Sequence, residues 1–312
     1  MVLKTKVIVN PESDKGRTRK KWKQIKEALK SFLKEFKYEF TEKPFQAIEI
    51  TRTAIKEGNE LIIGVGGDGT MNEIANGFYE NKEIINPETM LGIVPSGTGC
   101  DLNKSLNIPS GLEESLKVII QAPSALIDVG KVTFKSHSGE EEERFFLNVA
   151  DFGIGGEVVR KVNLNRMERK ASSYLRCLLS TAVKYRSKKL KIEIDKEKIP
   201  EGEYFVGAVA NGRIFGKGMK IAPEARLNDG LFDIVLVKGM KLLEFFCNCW
   251  KIYTGIHLSH PKISLIRGKK IKVLPREDED VLIELDGEGL GKLPATFEIF
   301  PHSFLVKGYL SR

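Results

Sequence analysis

Gly64-Val65-Gly66-Gly67-Asp68-Gly69-Thr70 is the stretch whose reading decides the fold. Leu61-Ile62-Ile63 runs into it with strand composition, and Met71, Ile74, Ala75 and Phe78 follow at helical spacing. The order is strand, glycine turn, helix. Glycines allow positive φ and let a ligand approach the backbone, and the helix start presents unpaired N–H groups to an anion. Asp68 inside the turn would repel a phosphate unless a cation bridges them, and magnesium is the usual bridge. A tight strand–helix connection would read the same way, so the choice rests on the rest of the chain.

Moving outward, Lys6-Val7-Ile8-Val9 reads as a first strand ending in the turn Asn10 to Gly16. A helix follows with Trp22, Ile25, Leu29, Phe32, Leu33 and Phe36 on one face and lysines and arginines on the other. Tyr38 to Thr41 reads as a strand and Ala47 to Lys56 as a helix. Leu91 to Val94 is a further strand, running into a second small-residue turn, Pro95-Ser96-Gly97-Thr98-Gly99-Cys100-Asp101, and Leu112 to Ile120 is helical. Such alternation predicts a parallel sheet with helices on both faces. Ligands bind at the carboxyl ends of its strands, so the turns after Val9, Gly64 and Val94 should gather at one edge.

From Ala125 strand patterns dominate: 125–134, 144–150, 190–194, 204–210, 231–237, 270–274, 281–285 and 295–300, which predicts a β-sandwich. Glu140 to Glu143 reads as a hairpin tip. Helical inserts are expected over Ala171 to Arg186, in a basic neighbourhood that includes Arg166, Arg169 and Lys170, and over Leu242 to Ile256. Either insert suits a packed helix or an amphipathic membrane contact. The expected domains are residues 1–124, the α/β domain, 125–302, the β-sandwich, and a tail, 303–312, returning to the first domain.

The 312 residues favour two domains, and a mean hydropathy of −0.20 fits a soluble protein. No uncharged apolar window reaches membrane-spanning length and the first residues lack a signal-peptide core, so a cytoplasmic location is expected. Four cysteines without a CxxC pair, and four histidines, argue against a zinc site. A net charge of +8 and a pI near 9.1 favour acidic partners: phosphate ligands or an anionic membrane. No nucleic-acid module is present in the sequence, so nucleic acid is not an expected partner.

Two later motifs carry carboxylates. Asp229-Gly230-Leu231-Phe232-Asp233 enters a strand and reads either as a turn or as a cation site. Asp286-Gly287-Glu288 follows a strand and reads as a hairpin turn or as the place of a general base.

In this order the motifs resemble the diacylglycerol kinase catalytic family, in its bacterial soluble lipid kinase form. The matching residues are Asn10-Pro11 with Gly16, Gly66 to Glu73, Pro95 to Asp101, Asp128-Val129-Gly130, Asn148 to Gly153, Asn211-Gly212, Asp229 to Asp233 and Asp286-Gly287-Glu288. Gly-Gly-Asp-Gly alone is shared with NAD kinases and phosphofructokinases. The resemblance implies an NAD-kinase-like α/β domain, a C-terminal β-sandwich and an active site in the cleft. It implies ATP contacts from Asn10, Thr41, Gly66, Gly67, Asp68, Gly69, Thr70, Met71, Asn72, Ser96, Thr98 and Asp101. It further implies Asp68 acting near the γ-phosphate through Mg²⁺, Glu288 as general base for a lipid hydroxyl, and a structural Mg²⁺ held by Asp229 with Arg226 and Leu231. The expected partners are a lipid substrate and an anionic membrane touched peripherally, with a homodimer left open. The chain departs from the family where Cys100 stands for a common Asn, Leu102-Asn103-Lys104 for Phe-Ala-Arg, and Gln46 for a frequent His. The competing readings are a kinase of a soluble acceptor, as in NAD kinases, and a catalytically silent regulator of the same fold.

Overall fold

The structure, a computed structural model, describes residues 3–97, 99–164, 171–276 and 279–310. It divides into two compact units, Met1–Asp128 with His302–Arg312, and Val129–Pro301.

The first unit runs β1 (Thr5–Val9), α1 (Ser13–Leu33), β2 (Lys37–Phe40), α2 (Gln46–Lys56), β3 (Leu61–Gly66), α3 (Asp68–Gly77), the small hairpin β4 (Tyr79–Glu80) and β5 (Glu83–Ile84), β6 (Met90–Pro95), α4 (Asp101–Ser105) and α5 (Leu112–Gln121). Its sheet is parallel in the order β2-β1-β3-β6, as the alternation predicts. Strand β3 is apolar and buried throughout, the pattern of a central strand covered on both faces. Val7, Val9, Ile63 and Val65 face Ile25, Leu29 and Leu33 of α1 and Leu116 and Ile119 of α5. Helices α2 and α3 cover the other face. Phe40, Val9, Val65 and Val94 stand level in the register, so the turns that follow them open at one edge.

The decisive glycines act differently from the expectation. Gly64, Val65 and Gly66 continue β3, and the turn shrinks to Gly67, the N-cap of α3, with φ −101. None of Gly64, Gly66, Gly67 and Gly69 has positive φ. A Cβ on Gly64 would strike Met71 and Ile74, and one on Gly66 would strike Thr70. Their role is to let α3 lie directly on β3. The left-handed backbone lies instead in the first loop, where Asp14, Lys15 and Gly16 have φ of 49, 59 and 76, and the regular winding of α1 begins after them.

The second unit contains β7 (Ser124–Ser136), β8 (Glu141–Phe146), β9 (Val149–Gly153), α6 (Ile154–Leu164), α7 (Ala171–Ala182), β10 (Lys188–Ile194), β11 (Glu197–Ala210), β12 (Phe232–Lys238), α8 (Leu242–Asn248), β13 (Ile263–Gly268), β14 (Lys270–Pro275), β15 (Leu282–Leu285) and β16 (Glu288–Lys307). Strands β7 and β16 cross the boundary between the units. Strand β11 pairs its first half with β10 and its second half with β12 and β9. Strand β16 pairs with β15 and then with β14. These two long strands serve both layers of the sandwich. Strand alternation separates two cores: Val209, Ile234 and Leu236 face the sandwich interior, while Ala208, Ala210, Val235 and Val237 face a layer that includes residues of α6, α7 and 242–259.

Helix α6 and strand β13 go beyond the predicted elements. The Leu242 to Ile256 insert is a short helix continued by 3-10 turns at Cys249–Tyr253 and Ile256–Ser259. The tip of the β7–β8 hairpin is His137 to Gly139, and Glu141 to Glu143 belong to β8, which corrects the expectation of an acidic tip. Glu143 has an ordinary reason to be there, since it pairs with Lys131 across the strands at 3.4 Å. Arg166, Arg169 and Lys170 lie outside the described residues.

Candidate active site

In the first unit the glycine turns converge on one another. A Cβ on Gly97 would lie 2.6 Å from the Cα of Gly67, so the two turns touch backbone to backbone. The N–H of Ser96 donates to the carbonyl of Gly66 at 2.8 Å. The first loop closes over both. Ser13 Oγ donates to the Ser96 carbonyl, Thr18 and Ser96 share a hydroxyl hydrogen bond at 2.6 Å, and Asn10 Nδ2 donates to Thr70 Oγ1 at 3.0 Å. The N–H of Thr41 donates to the Val9 carbonyl at 2.9 Å. Asn10, Thr41, Gly66, Gly67, Thr70 and Ser96 therefore share one edge of the sheet. Thr98 lies outside the described residues.

Asp68 opens α3 and its Oδ1 accepts the Leu102 N–H at 3.2 Å, which ties the first turn to α4. Asp101 is buried and paired with Lys104 at 2.7 Å. Burial, aided by the charges of Asp68 and then Asp101, pushes the Cys100 thiol up to about 12. That thiol stays protonated and inert. Cys100 itself is left-handed, φ 50 and ψ 49, a conformation in which Asn is far commoner than most residues. Met71 is buried against the position where Gly64 lacks a side chain, so only its backbone remains for a ligand. Asn72 is buried and accepts from Asn76 Nδ2 through both its carbonyl and its Oδ1.

In the second unit Asp286 and Gly287, at φ 47 and 92, form a two-residue hairpin turn between β15 and β16, with Leu285 opposite Glu288. The turn is braced from two sides. The Asp286 carboxylate accepts the N–H groups of Leu147, Asn148 and Val149 at 3.0 to 3.1 Å. Glu284 Oε1 accepts the Gly287 N–H at 2.6 Å. Asn148 and Asn211 interlock behind it, with Asn211 Nδ2 donating to the Leu147 carbonyl and Asn148 Nδ2 to that of Ile214. Glu288 is half-buried beside this frame.

Two carboxylates beyond the predicted set lie beneath. Asp151 and Glu284 stand opposite each other in the β9–β15 register, both buried. The Asp151 carboxylate lies against the start of α6, at Gly155 and Gly156, and is hydrogen-bonded to Glu284. Burial pushes Asp151 up to about 6, and burial plus the Asp151 charge holds Glu284 well above the usual carboxylate range. Two such groups cannot both ionise, and they share a proton. The signal was a charged residue inside the buried run Leu282-Ile283-Glu284-Leu285. Asp151 lines a partly open apolar cavity whose other walls include Phe205, Met219, Val237, Phe245 and Ile252. His257, also on the wall, is pushed down by burial and is neutral there.

The Asp229 turn carries its own cation. Arg267 pairs with Asp229 and lies 3.4 Å from the buried Asp233, while the Leu231 N–H donates to Asp229 Oδ1 at 3.2 Å. Arg226 is exposed. Among the described residues no group of three His, Cys, Asp or Glu side chains is arranged to hold a metal.

Comparison with solved structures puts this architecture among the diacylglycerol and NAD kinases. A crystal structure of a diacylglycerol kinase from Bacillus anthracis strain Sterne matches with a TM-score of 0.71 at 22% identity, covering 98% of this chain and 96% of that one. An NAD kinase from Archaeoglobus fulgidus in complex with ATP matches at 0.50 and 14% identity, over 97% of this chain and 93% of that one. At these identities the likeness is one of fold. The chain belongs to the diacylglycerol kinase family: residues 4–132 match the diacylglycerol kinase catalytic domain, and residues 148–307 match the YegS C-terminal NAD kinase beta sandwich-like domain. Proteins called diacylglycerol kinase from Staphylococcus aureus strain MRSA252 and Staphylococcus carnosus strain TM300 are 28% and 26% identical to it. Each alignment covers 94% of this chain, with 89% and 91% of the relatives.

Proposed function

We propose that the protein is an ATP-dependent lipid kinase that transfers the γ-phosphate to a lipid hydroxyl at a membrane surface. The observation that carries the lipid half of this reading is the apolar cavity of the second unit. An acyl chain fits such walls. The polar groups of a soluble nucleotide acceptor would lose their hydrogen bonds there. This argues against the NAD-kinase-type alternative.

ATP is assigned to the edge formed by Asn10, Thr41, Gly66 to Asn72, Ser96 and Asp101. The abutting backbones of Gly67 and Gly97 leave no side chain between a phosphate chain and the turns. The hard oxygen donors of Asp68 and Asp101, close enough to each other to act on one thiol, suit magnesium. Bound there, magnesium would neutralise phosphate charge during transfer. Asp68 is held for that task by Leu102, and Asp101 is steadied by Lys104. Glu288 is assigned as the base that takes the hydroxyl proton, on a turn made rigid by Asp286 and Glu284.

The test is phosphate transfer from radiolabelled ATP to a total lipid extract, with mass spectrometry of the new phosphate ester and NAD as the competing acceptor. Glu288→Gln is expected to bind ATP normally and to lose about 10²–10⁴-fold in turnover. Full turnover in Glu288→Gln alongside a dead Asp68→Asn would move the base role to Asp68. ATP binding without transfer to any acceptor would leave the silent-regulator reading.

A further inference from the structure

The residues from Leu242 to Ile256 carry apolar groups on two adjoining faces, with the rings of Phe245 and Phe246 5.7 Å apart. Phe245, Cys249 and Ile252 line the cavity described above. Leu242, Leu243, Phe246, Trp250 and Ile256 face solvent, with Leu243 74% and Trp250 54% exposed. No residue of α8 is buried. A soluble protein rarely leaves such a contiguous apolar patch open without a partner.

We infer that this segment is a membrane-inserting gate: its outer face enters the interfacial layer of a bilayer, and its inner face admits an acyl chain to the cavity. The inference deepens the lipid-kinase reading and rests on it for what enters. Three features select a bilayer over a second protein molecule. The patch and the cavity wall are adjoining faces of one short element, so whatever covers the patch stands at the cavity wall, and only a source of apolar chains serves both. Lys241 precedes the exposed apolar residues, while the acidic Glu244 is already paired with Lys262 at 2.7 Å and lies 3.5 Å from His260. The balance at the rim therefore favours an anionic headgroup layer. Trp250, with its indole N–H donated to the Cys247 carbonyl at 3.0 Å, combines a satisfied polar edge with an exposed ring, as suits the interface.

The test uses the full chain carrying Trp22→Phe, which leaves Trp250 as its one indole. Adding phosphatidylcholine vesicles, with or without phosphatidylglycerol, should shift Trp250 emission to the blue, and brominated acyl chains should quench it, in low and in high salt. Leu243→Glu and Phe246→Glu, both at exposed positions, should fold normally and weaken vesicle partitioning by roughly tenfold or more. Leu243→Glu should depress transfer to vesicle lipids while leaving kcat on a water-soluble short-chain acceptor unchanged. Unshifted Trp250 emission in a preparation that phosphorylates vesicle lipids would overturn the gate and leave the kinase reading standing. Insertion without transfer to any lipid would support the gate and overturn the kinase reading. Vesicle binding unaffected by Leu243→Glu and abolished by salt would assign docking to basic residues alone and overturn the inference. So would a concentration-dependent dimer, dispersed by Leu243→Glu, that ignores vesicles.

Discussion

Asp151 and Glu284 show how one pair of side chains sets a pH dependence for the whole protein. Both have folded pKa values above the ordinary carboxylate range, Asp151 at about 6. Because protonation is favoured in the folded state, their stabilising contribution is present below the unfolded value near 4. It fades as pH rises through the folded one. Asp151→Asn removes that loss. Its melting temperature should exceed that of the parent at about pH 8, and the gain should shrink or reverse at about pH 4.5. A difference independent of pH would mean that the two carboxylates do not share a proton. At the same scale Cys100 occupies a left-handed position that suits Asn.

At the scale of elements, the two glycine turns make unequal demands. A Cβ on Gly97 meets the backbone of Gly67 at 2.6 Å, and backbone does not yield, whereas a Cβ on Gly67 meets its nearest neighbours at 3.4 and 3.7 Å. Gly97→Ala should therefore cost about 1–3 kcal/mol in urea unfolding and weaken ATP binding, while Gly67→Ala should be much milder. Equal costs would show that the turns do not abut. The Asp229 turn offers a second element-level check. Arg267 already supplies its positive charge, so Asp229→Asn should lower the melting temperature by the same amount in magnesium as in chelator. A larger fall in magnesium would establish the structural cation that the family resemblance implies.

Across the whole molecule, the chain finishes the first unit last. After β16 leaves the second unit, Leu305 and Val306 pair in parallel with Met90 and Leu91 of β6. Phe304 is fully buried with its ring 4.6 Å from that of Phe78, and the His302 N–H donates to Asp128 at 2.8 Å. Phe304→Ala should cost about 3–5 kcal/mol in chemical denaturation, whereas the exposed Tyr309→Ala should stay within about 0.5 kcal/mol. A small effect at Phe304 would mean that the C-terminal strand is dispensable to the first unit.

Local pattern was enough for the α/β first half, the strand-rich second half, the two small-residue turns and the Asp286-Gly287 hairpin. Each depends on periodicity or turn chemistry within a few residues, and the family resemblance added candidate roles at those same positions. Register and packing decided the rest. Whether Gly64 serves a turn or a helix lying on a strand depends on where Met71 and Ile74 fall in space. Asp151 and Glu284 are 133 positions apart in sequence, and only the antiparallel pairing of β9 with β15 makes them share one proton. Arg267 reaches Asp229 because β12 and β13 are neighbours. The two apolar sides of Leu242 to Ile256 read locally as one amphipathic helix, and only the fold of the second unit shows which side covers a cavity and which meets solvent. Patterns that repeat within a turn or a strand are written along the chain, but charge pairing, backbone contact and burial depend on what the folded chain brings beside each residue.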